Sequence, residues 1–139
     1  MVEGIEDAIG KKQGISLAQP LWRAEQIRKM EQRWAEREGQ ALYALMERAG
    51  AALCSYARHH WPQSHHWWIF VGSGNNGGDG YVLARLARRL GLEPLVIAAR
   101  APGLLRGDAR RAADEWLAAG GEVMMADALE GASLPSPDL

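Results

Sequence analysis

Asn75, Asn76 and Asp79 bring two carboxamides and a carboxylate together over a few residues, set among Gly72, Gly74, Gly77, Gly78 and Gly80. Several oxygens at such close spacing suit a hard, weakly held cation, or the amide and hydroxyl groups of a sugar or a nicotinamide. Each residue also has a local use. Asparagine tolerates left-handed turn geometry, and Asp79 can cap a helix starting at Gly80. Turn chemistry accounts for one asparagine more easily than for two. The glycines remove the Cβ atoms that would keep a ligand, or a neighbouring helix, away from the backbone.

The flanking residues position this cluster. Trp67 to Val71 is an unbroken aromatic and β-branched run, which suits a strand buried on both faces. After the glycines, Val82, Leu83, Leu86 and Leu90 recur at helical spacing with Arg85, Arg88 and Arg89 on the other side, and Gly91 supplies the stop. A strand, a glycine bend and a helix present free N–H groups and the positive end of a helix dipole to an anion or a polar ring. Gly72-x-Gly74-x-x-Gly77 is, read literally, the dinucleotide fingerprint, and Leu92-Glu93-Pro94 leads on into Leu95-Val96-Ile97-Ala98 to complete a βαβ unit. The acid expected after the second strand to hold a ribose hydroxyl is missing. Arg100 stands there instead, either as a receptor for a ribose phosphate or as a solvated arginine entering the Ala101-Pro102-Gly103 turn. General exposure of arginine favours the second reading.

Val71 through Arg85, with Asn75-Asn76-Gly77-Gly78-Asp79-Gly80 at its centre, resembles the signature of the YjeF N-terminal domain, the NAD(P)HX epimerase. Trp22 through Glu31, Leu42 through Gly50 and Glu115 through Glu122 resemble the opening helices and third helix of the bacterial bifunctional NAD(P)H-hydrate repair enzymes, so the resemblance spans about Leu17 to Ala126. It implies interconversion of the R and S epimers of hydrated NADH or NADPH, with a dehydratase fused in the full chain. It further implies that Asn75, Asn76, Gly77, Gly78 and Asp79 line the hydrate pocket, that Asn76 also ligates a potassium ion, and that the N-terminal helices pack on the sheet and contribute to a homodimer. Inverting a hydroxyl-bearing carbon requires proton transfer. Asp79 is the ionisable side chain of the cluster and hence the one candidate here, although the family's other aspartates fall beyond residue 139 and the catalytic group stays unassigned. Family members continue, after a segment like Pro137-Asp138-Leu139, into a further strand with an aspartate and a Gly-Thr-Gly turn. The expectation is therefore the front part of a longer chain.

Composition and the remaining segments agree with this organisation. A chain of 139 residues with 47% hydrophobic and 24% charged residues reads as one globular domain. Sixteen basic against seventeen acidic side chains create no field that would gather nucleic acid or an anionic membrane. No stretch is apolar enough for a membrane span, and the lone Cys54, on an apolar helix face, fits packing in a reducing cytoplasm. Residues 1–17 read as a flexible tail and residues 18–139 as the domain. Ala18-Gln19-Pro20 leads into a helix over residues 24–38, with Ile27, Met30 and Trp34 as its stripe and Gly39 as its end. A second helix has Leu42, Leu45, Met46, Ala49, Leu53 and Ala57 as its stripe and is over by Pro62; Gly50 inside it points to close packing. His59, His60, His65 and His66 lack the spacing of a shared metal site and read as an exposed connection. Asp108 opens a third helix with Ala109, Ala112, Ala113, Trp116 and Leu117 buried. Gly120-Gly121 closes it before a short strand over residues 122–126, and the rest reads as a loop.

The fold expected is α/β, a Rossmann-like three-layer αβα arrangement with a parallel sheet, two added N-terminal helices and an incomplete C-terminus. Two other functions use the same elements: a noncatalytic dimerisation module, and a fragment of an NAD(P)-binding oxidoreductase. The first has no use for both amides, and the second calls for an acid after the second strand.

Overall fold

The computed structural model describes residues 23–37 and 42–139; the expected tail, the Ala18-Gln19-Pro20 entry and the Gly39 stop lie outside the described residues. The elements are α1 (Ala24–Arg37), α2 (Leu42–His60), β1 (His66–Val71), α3 (Asn75–Arg89), β2 (Glu93–Ala98), α4 (Gly107–Ala118) and β3 (Val123–Met125). Short 3-10 turns cover Pro102–Leu104 and Ala126–Leu129. The chain divides into two units, Met1–Arg33 and Trp34–Leu139, and α1 straddles the division. Along α1, Ile27 and Met30 are exposed. In the second unit the Arg48 guanidinium lies 5.5 Å from the centre of the Trp34 ring.

The sheet is parallel with order β1-β2-β3. Trp67 lies beside Pro94 and Val71 beside Ala98, and β2 pairs with β3 from Val96 beside Val123 to Ala98 beside Met125. Steady progression of the strands in one direction, with right-handed crossovers, places α3 and α4 on the same face. Trp67, Ile69, Val71, Val96 and Ala98 point into that face and form the core with Val82, Ala84, Ala112 and Trp116. The opposite face differs from the expectation of a strand buried on both sides: Trp68 is half-buried and Phe70 is 64% exposed. Of the three expected layers, the described residues supply the sheet and the helices on its Trp67 face.

The helices register on one another differently from their apolar patterns. On α2 the buried residues are Tyr43, Met46, Gly50, Cys54 and Ala57, while Leu42 and Leu53 are exposed, so the stripe is rotated by about one residue. Gly50 explains the rotation. A Cβ there would stand 2.5 Å from Val82 Cγ1 and 3.1 Å from the Asp79 carbonyl, so α2 sits close against α3 only with a bare Cα at that point. On α4, Ala109, Ala112, Ala113 and Trp116 are buried as expected and Leu117 is exposed. Gly121 lies directly against the Trp116 ring, and Trp116 Nε1 donates to the Glu122 carbonyl at 3.0 Å, which fixes the turn from α4 into β3.

The C-terminal residues are not a free loop. Leu139 N–H donates to the His66 carbonyl (3.3 Å) and Trp68 N–H donates to the Leu139 carbonyl (2.7 Å), the alternation of a parallel ladder, so Leu139 lies along the outer edge of β1. Asp138 anchors it: one carboxylate oxygen accepts from the His65 and His66 amides at 2.8 and 2.9 Å, and those bonds hold its carboxyl below the usual aspartate range. His66 therefore belongs to the first strand rather than to an exposed connection, with Nε2 3.1 Å from Glu93.

If the bare Cα of Gly50 sets the α2 to α3 distance, Gly50→Ala should destabilise the chain by about 1–3 kcal/mol despite the better helix propensity of alanine. Urea unfolding measures this, and an unchanged or higher midpoint would show that the two helices can separate freely.

Candidate active site at the start of the third helix

The bend after β1 is shorter than the glycine pattern suggests. The helix begins at Asn75, with Gly74 as its N-cap, and no side chain caps it. The Gly77 N–H donates to the Gly74 carbonyl at 3.0 Å and the Gly78 N–H shares that oxygen at 3.4 Å. Asp79 is therefore not the cap of a helix starting at Gly80; it lies in the second turn and is half-buried. Asn75 and Asn76 occupy the first turn and are exposed.

The glycines fall into two sets. Gly77, Gly78 and Gly80 are buried and serve packing. A Cβ on Gly77 would run into the Gly72 carbonyl, one on Gly80 would stand 2.6 Å from Val71 Cγ1, and one on Gly78 would meet the Met46 thioether at 2.6 Å and the Ala109 Cα at 3.2 Å. The first two turns of α3 thus rest on the strand, the bend and two other helices at once. Gly72 and Gly74 are exposed, with nothing within 4 Å of where their Cβ atoms would stand. The open side of the motif therefore consists of Gly72, Ser73, Gly74, Asn75 and Asn76. Of the five residues expected to line a pocket, Asn75 and Asn76 are presented outward, whereas Gly77 and Gly78 support them from below and Asp79 stands one turn back.

Chemically, this end of α3 offers two carboxamides, main-chain N–H groups that the helix cannot satisfy itself, and a positive dipole end. That combination receives a phosphate, a carbonyl or a hydroxyl. The second strand ends at the same edge: Ala99 N–H donates to the Val71 carbonyl at 3.0 Å, and the exposed Arg100 follows. A groove of about 370 Å³ between α2 and α3, lined by Ala44, Glu47, Arg48, Val82, Arg85 and Arg89 among others, includes none of Ser73, Asn75, Asn76 and Asp79.

Sequence pattern alone missed one group. Arg85 belongs by its spacing to the solvent-facing arginines of α3, yet its side chain is only 10% exposed. Arg85 Nη2 donates to Glu47 at 2.9 Å and lies 3.4 Å from Glu115, so α2, α3 and α4 meet around one cation. Glu115 also accepts from the Tyr43 hydroxyl (2.8 Å) and from Arg111 Nε (3.1 Å), and the Arg111 guanidinium stacks 3.8 Å above the Tyr43 ring. Burial, then the bond to Glu115, pushes the Tyr43 phenol up to about 12. Burial pulls Glu115 upward, but bonds from Tyr43 and Arg111 and the charges of Arg85 and Arg111 outweigh it, leaving its carboxyl below the ordinary range. The signal available in sequence was weak: a single acid, Glu47, on α2, and Glu115 as one of three acids on α4.

A parallel α/β fold with a glycine-rich first βα bend and polar groups at the carboxyl edge of its sheet defines the class of nucleotide-fold proteins. Residues 42–136 match the model of the family described as YjeF-related protein N-terminus, and the chain belongs to that family. It is 42% identical over 113 residues to the bifunctional NAD(P)H-hydrate repair enzyme Nnr of Escherichia coli K12, covering 81% of this chain and 22% of that protein. It is 41% identical over 100 residues to the NAD(P)H-hydrate epimerase of Bordetella pertussis Tohama I, covering 72% of this chain and 42% of that one. The crystal structure of yeast ynu0 (YNL200c) superposes with a TM-score of 0.60 at 25% identity, over 76% of this chain and 46% of its own. The chain thus spans less than half the length of these relatives. No helix among the described residues is long and apolar enough to cross a membrane.

Because the carboxyl of Glu115 sits below its ordinary value of 4.5, its ionised form stabilises the folded state. That contribution is complete above the ordinary value and is lost as pH falls through the folded one. Glu115→Gln should therefore be less stable than the native chain at neutral pH and lose less stability on acidification, measured as urea midpoints from neutral pH down to below the carboxylate range. Parallel curves for the two chains would show that the network contributes no pH dependence.

Proposed function

We propose that this chain is the epimerase module of nicotinamide nucleotide repair, residues 18–139 forming part of an NAD(P)H-hydrate epimerase that interconverts the R and S forms of NADHX and NADPHX. The observation that carries the reading is the outward presentation of Asn75 and Asn76 at the start of α3, in a family member 41% identical to a protein named NAD(P)H-hydrate epimerase. Bifunctional names among the relatives support a longer protein in which an ADP- or ATP-dependent dehydratase is joined to this module. The working protein in this reading is a cytoplasmic homodimer whose partner is the damaged cofactor.

In this scheme the two amides hydrogen-bond the hydrated nicotinamide and its carboxamide, while the free N–H groups of the first turn receive the ligand's anionic part. Gly77 and Gly78 act from beneath, by allowing the turn to lie flat on the bend and on Met46. Asp79 is the ionisable group of the motif, yet its place in the second turn puts it behind the asparagines, and the acid and base of the reaction are left unassigned. Asn76 supplies a neutral amide oxygen, the donor type that suits potassium. One such oxygen at the positive end of a helix is not a complete site, so Asn76 stands as a single ligand among others and no step runs through the ion.

One purified hydrate epimer, incubated with the full chain and followed by chromatography, should convert to the other faster than in buffer. Asn76→Ala should lower kcat/KM about 10- to 100-fold, the loss of one or two hydrogen bonds to the reacting ligand. An epimer ratio that drifts no faster than in buffer rejects the function, and equal rates for native and Asn76→Ala chains reject the site.

A further inference from the structure

We infer that Arg100 is a specificity-determining residue, receiving a phosphate monoester on the adenosine ribose and so favouring the phosphorylated dinucleotide hydrate over the unphosphorylated one. The inference rests on the proposed hydrate site and deepens it. Its ground is a juxtaposition. The Ala99 N–H bonds to the Val71 carbonyl, so the chain leaves β2 level with Gly72, and Arg100 emerges beside the bend that opens α3. In folds of this kind the residue at that place faces the ribose next to the first βα turn: an acid there binds two hydroxyls, and a cation there accommodates a phosphate.

Three features of this chain support the cation. Residues 99–107, from the end of β2 to the start of α4, contain two arginines and no acid, so nothing in the connection is suited to grip a free ribose diol. Arg85, Arg88, Arg110 and Arg111 donate hydrogen bonds within the chain, to Glu47, the Gly120 carbonyl, Asp114 and Glu115. Of the arginines from 85 to 111 without such a bond among the described residues, Arg89 ends α3, Arg106 is the N-cap of α4, and Arg100 is the one that leaves β2 level with the bend. Arg100 is exposed and makes no hydrogen bond or ion pair among the described residues, including none with Asp127, which follows the neighbouring strand. A guanidinium left unpaired at a ligand-facing edge keeps all five donors available, in the fork geometry that a phosphate matches. The alternative of a merely solvated arginine makes the opposite prediction, that ribose phosphorylation is not sensed.

Calorimetric titration of the full chain with adenosine 2′,5′-bisphosphate and with adenosine 5′-monophosphate separates the two. The native chain should bind the bisphosphate about tenfold or more tightly than the monophosphate. Arg100→Ala should remove that preference without changing monophosphate binding, and Arg100→Lys should restore part of it. Equal or absent binding of both nucleotides by the native chain, or a preference that survives Arg100→Ala, overturns the inference. In turnover, Arg100→Ala should raise KM for NADPHX about tenfold and leave KM for NADHX and both kcat values unchanged; an equal rise for both substrates overturns it. A native chain that discriminates the two nucleotides but epimerises neither hydrate would refute the epimerase reading and leave the role of Arg100 standing.

Discussion

The arrangement depends on close approach of main chain to main chain around the first two turns of α3. Three of the first six residues of that helix are glycine, and each glycine in a helix interior costs about 1 kcal/mol relative to alanine. Local propensity therefore opposes a helix start at Asn75. Contact reverses the balance. Gly77 rests on the Gly72 carbonyl, Gly80 on Val71, Gly78 on Met46 and Ala109, and Gly50 of α2 on Val82. A Cβ at Gly77 or Gly80 would lift α3 off the bend or the strand and one at Gly50 would push α2 away, whereas at Gly78 the flexible Met46 thioether can move and only the Ala109 Cα at 3.2 Å resists. The same glycines that look like a ligand loop are in large part the bearing surface of a helix, and the exposed part is the small remainder from Gly72 to Asn76.

The second tie is electrostatic. Arg85, Arg111, Glu47 and Glu115 form a neutral set spread over three helices, with the Tyr43 hydroxyl completing the coordination of Glu115. A buried cation is costly without partners and contributes geometric uniqueness when it has them. Here it fixes the rotation of α2 and α4 about α3, since Glu47 and Glu115 must both reach one guanidinium. This is also why the α2 stripe is turned by a residue: Tyr43 faces inward to meet Glu115, and Leu42 is left outside. The network leaves Arg85 Nε buried without an acceptor, an imperfection consistent with a cation held for placement more than for energy.

The sheet has a different constraint on its outer side. Among the described residues no strand pairs with β1 opposite β2, and an unpaired sheet edge is a liability. Leu139 covers its beginning through two ladder hydrogen bonds, and Asp138 fastens that contact by accepting from two consecutive amides. The polar edge is thereby satisfied where the histidine-rich connection enters the strand, far from the asparagines at the other end.

Much of this was legible beforehand. The order of helices and strands, their bounds to within a few residues apart from the start of α3, and the burial of Cys54 and of the α4 alanines follow from periodicity, and the family resemblance is carried by the Gly72–Gly80 motif and the matching helices, because these are local signals carried by neighbouring residues. Three matters were decided only by the tertiary structure. The helix begins at Asn75 because packing against residues distant in the chain outweighs the propensity of glycine. Arg85 is buried because two acids, thirty or more residues away on either side, converge on it. Leu139 lies along β1 because Asp138 finds amides more than seventy residues earlier. Period and composition report what a residue and its near neighbours prefer; which distant groups arrive to satisfy a bare backbone, a charge or a sheet edge is settled only when the chain closes on itself.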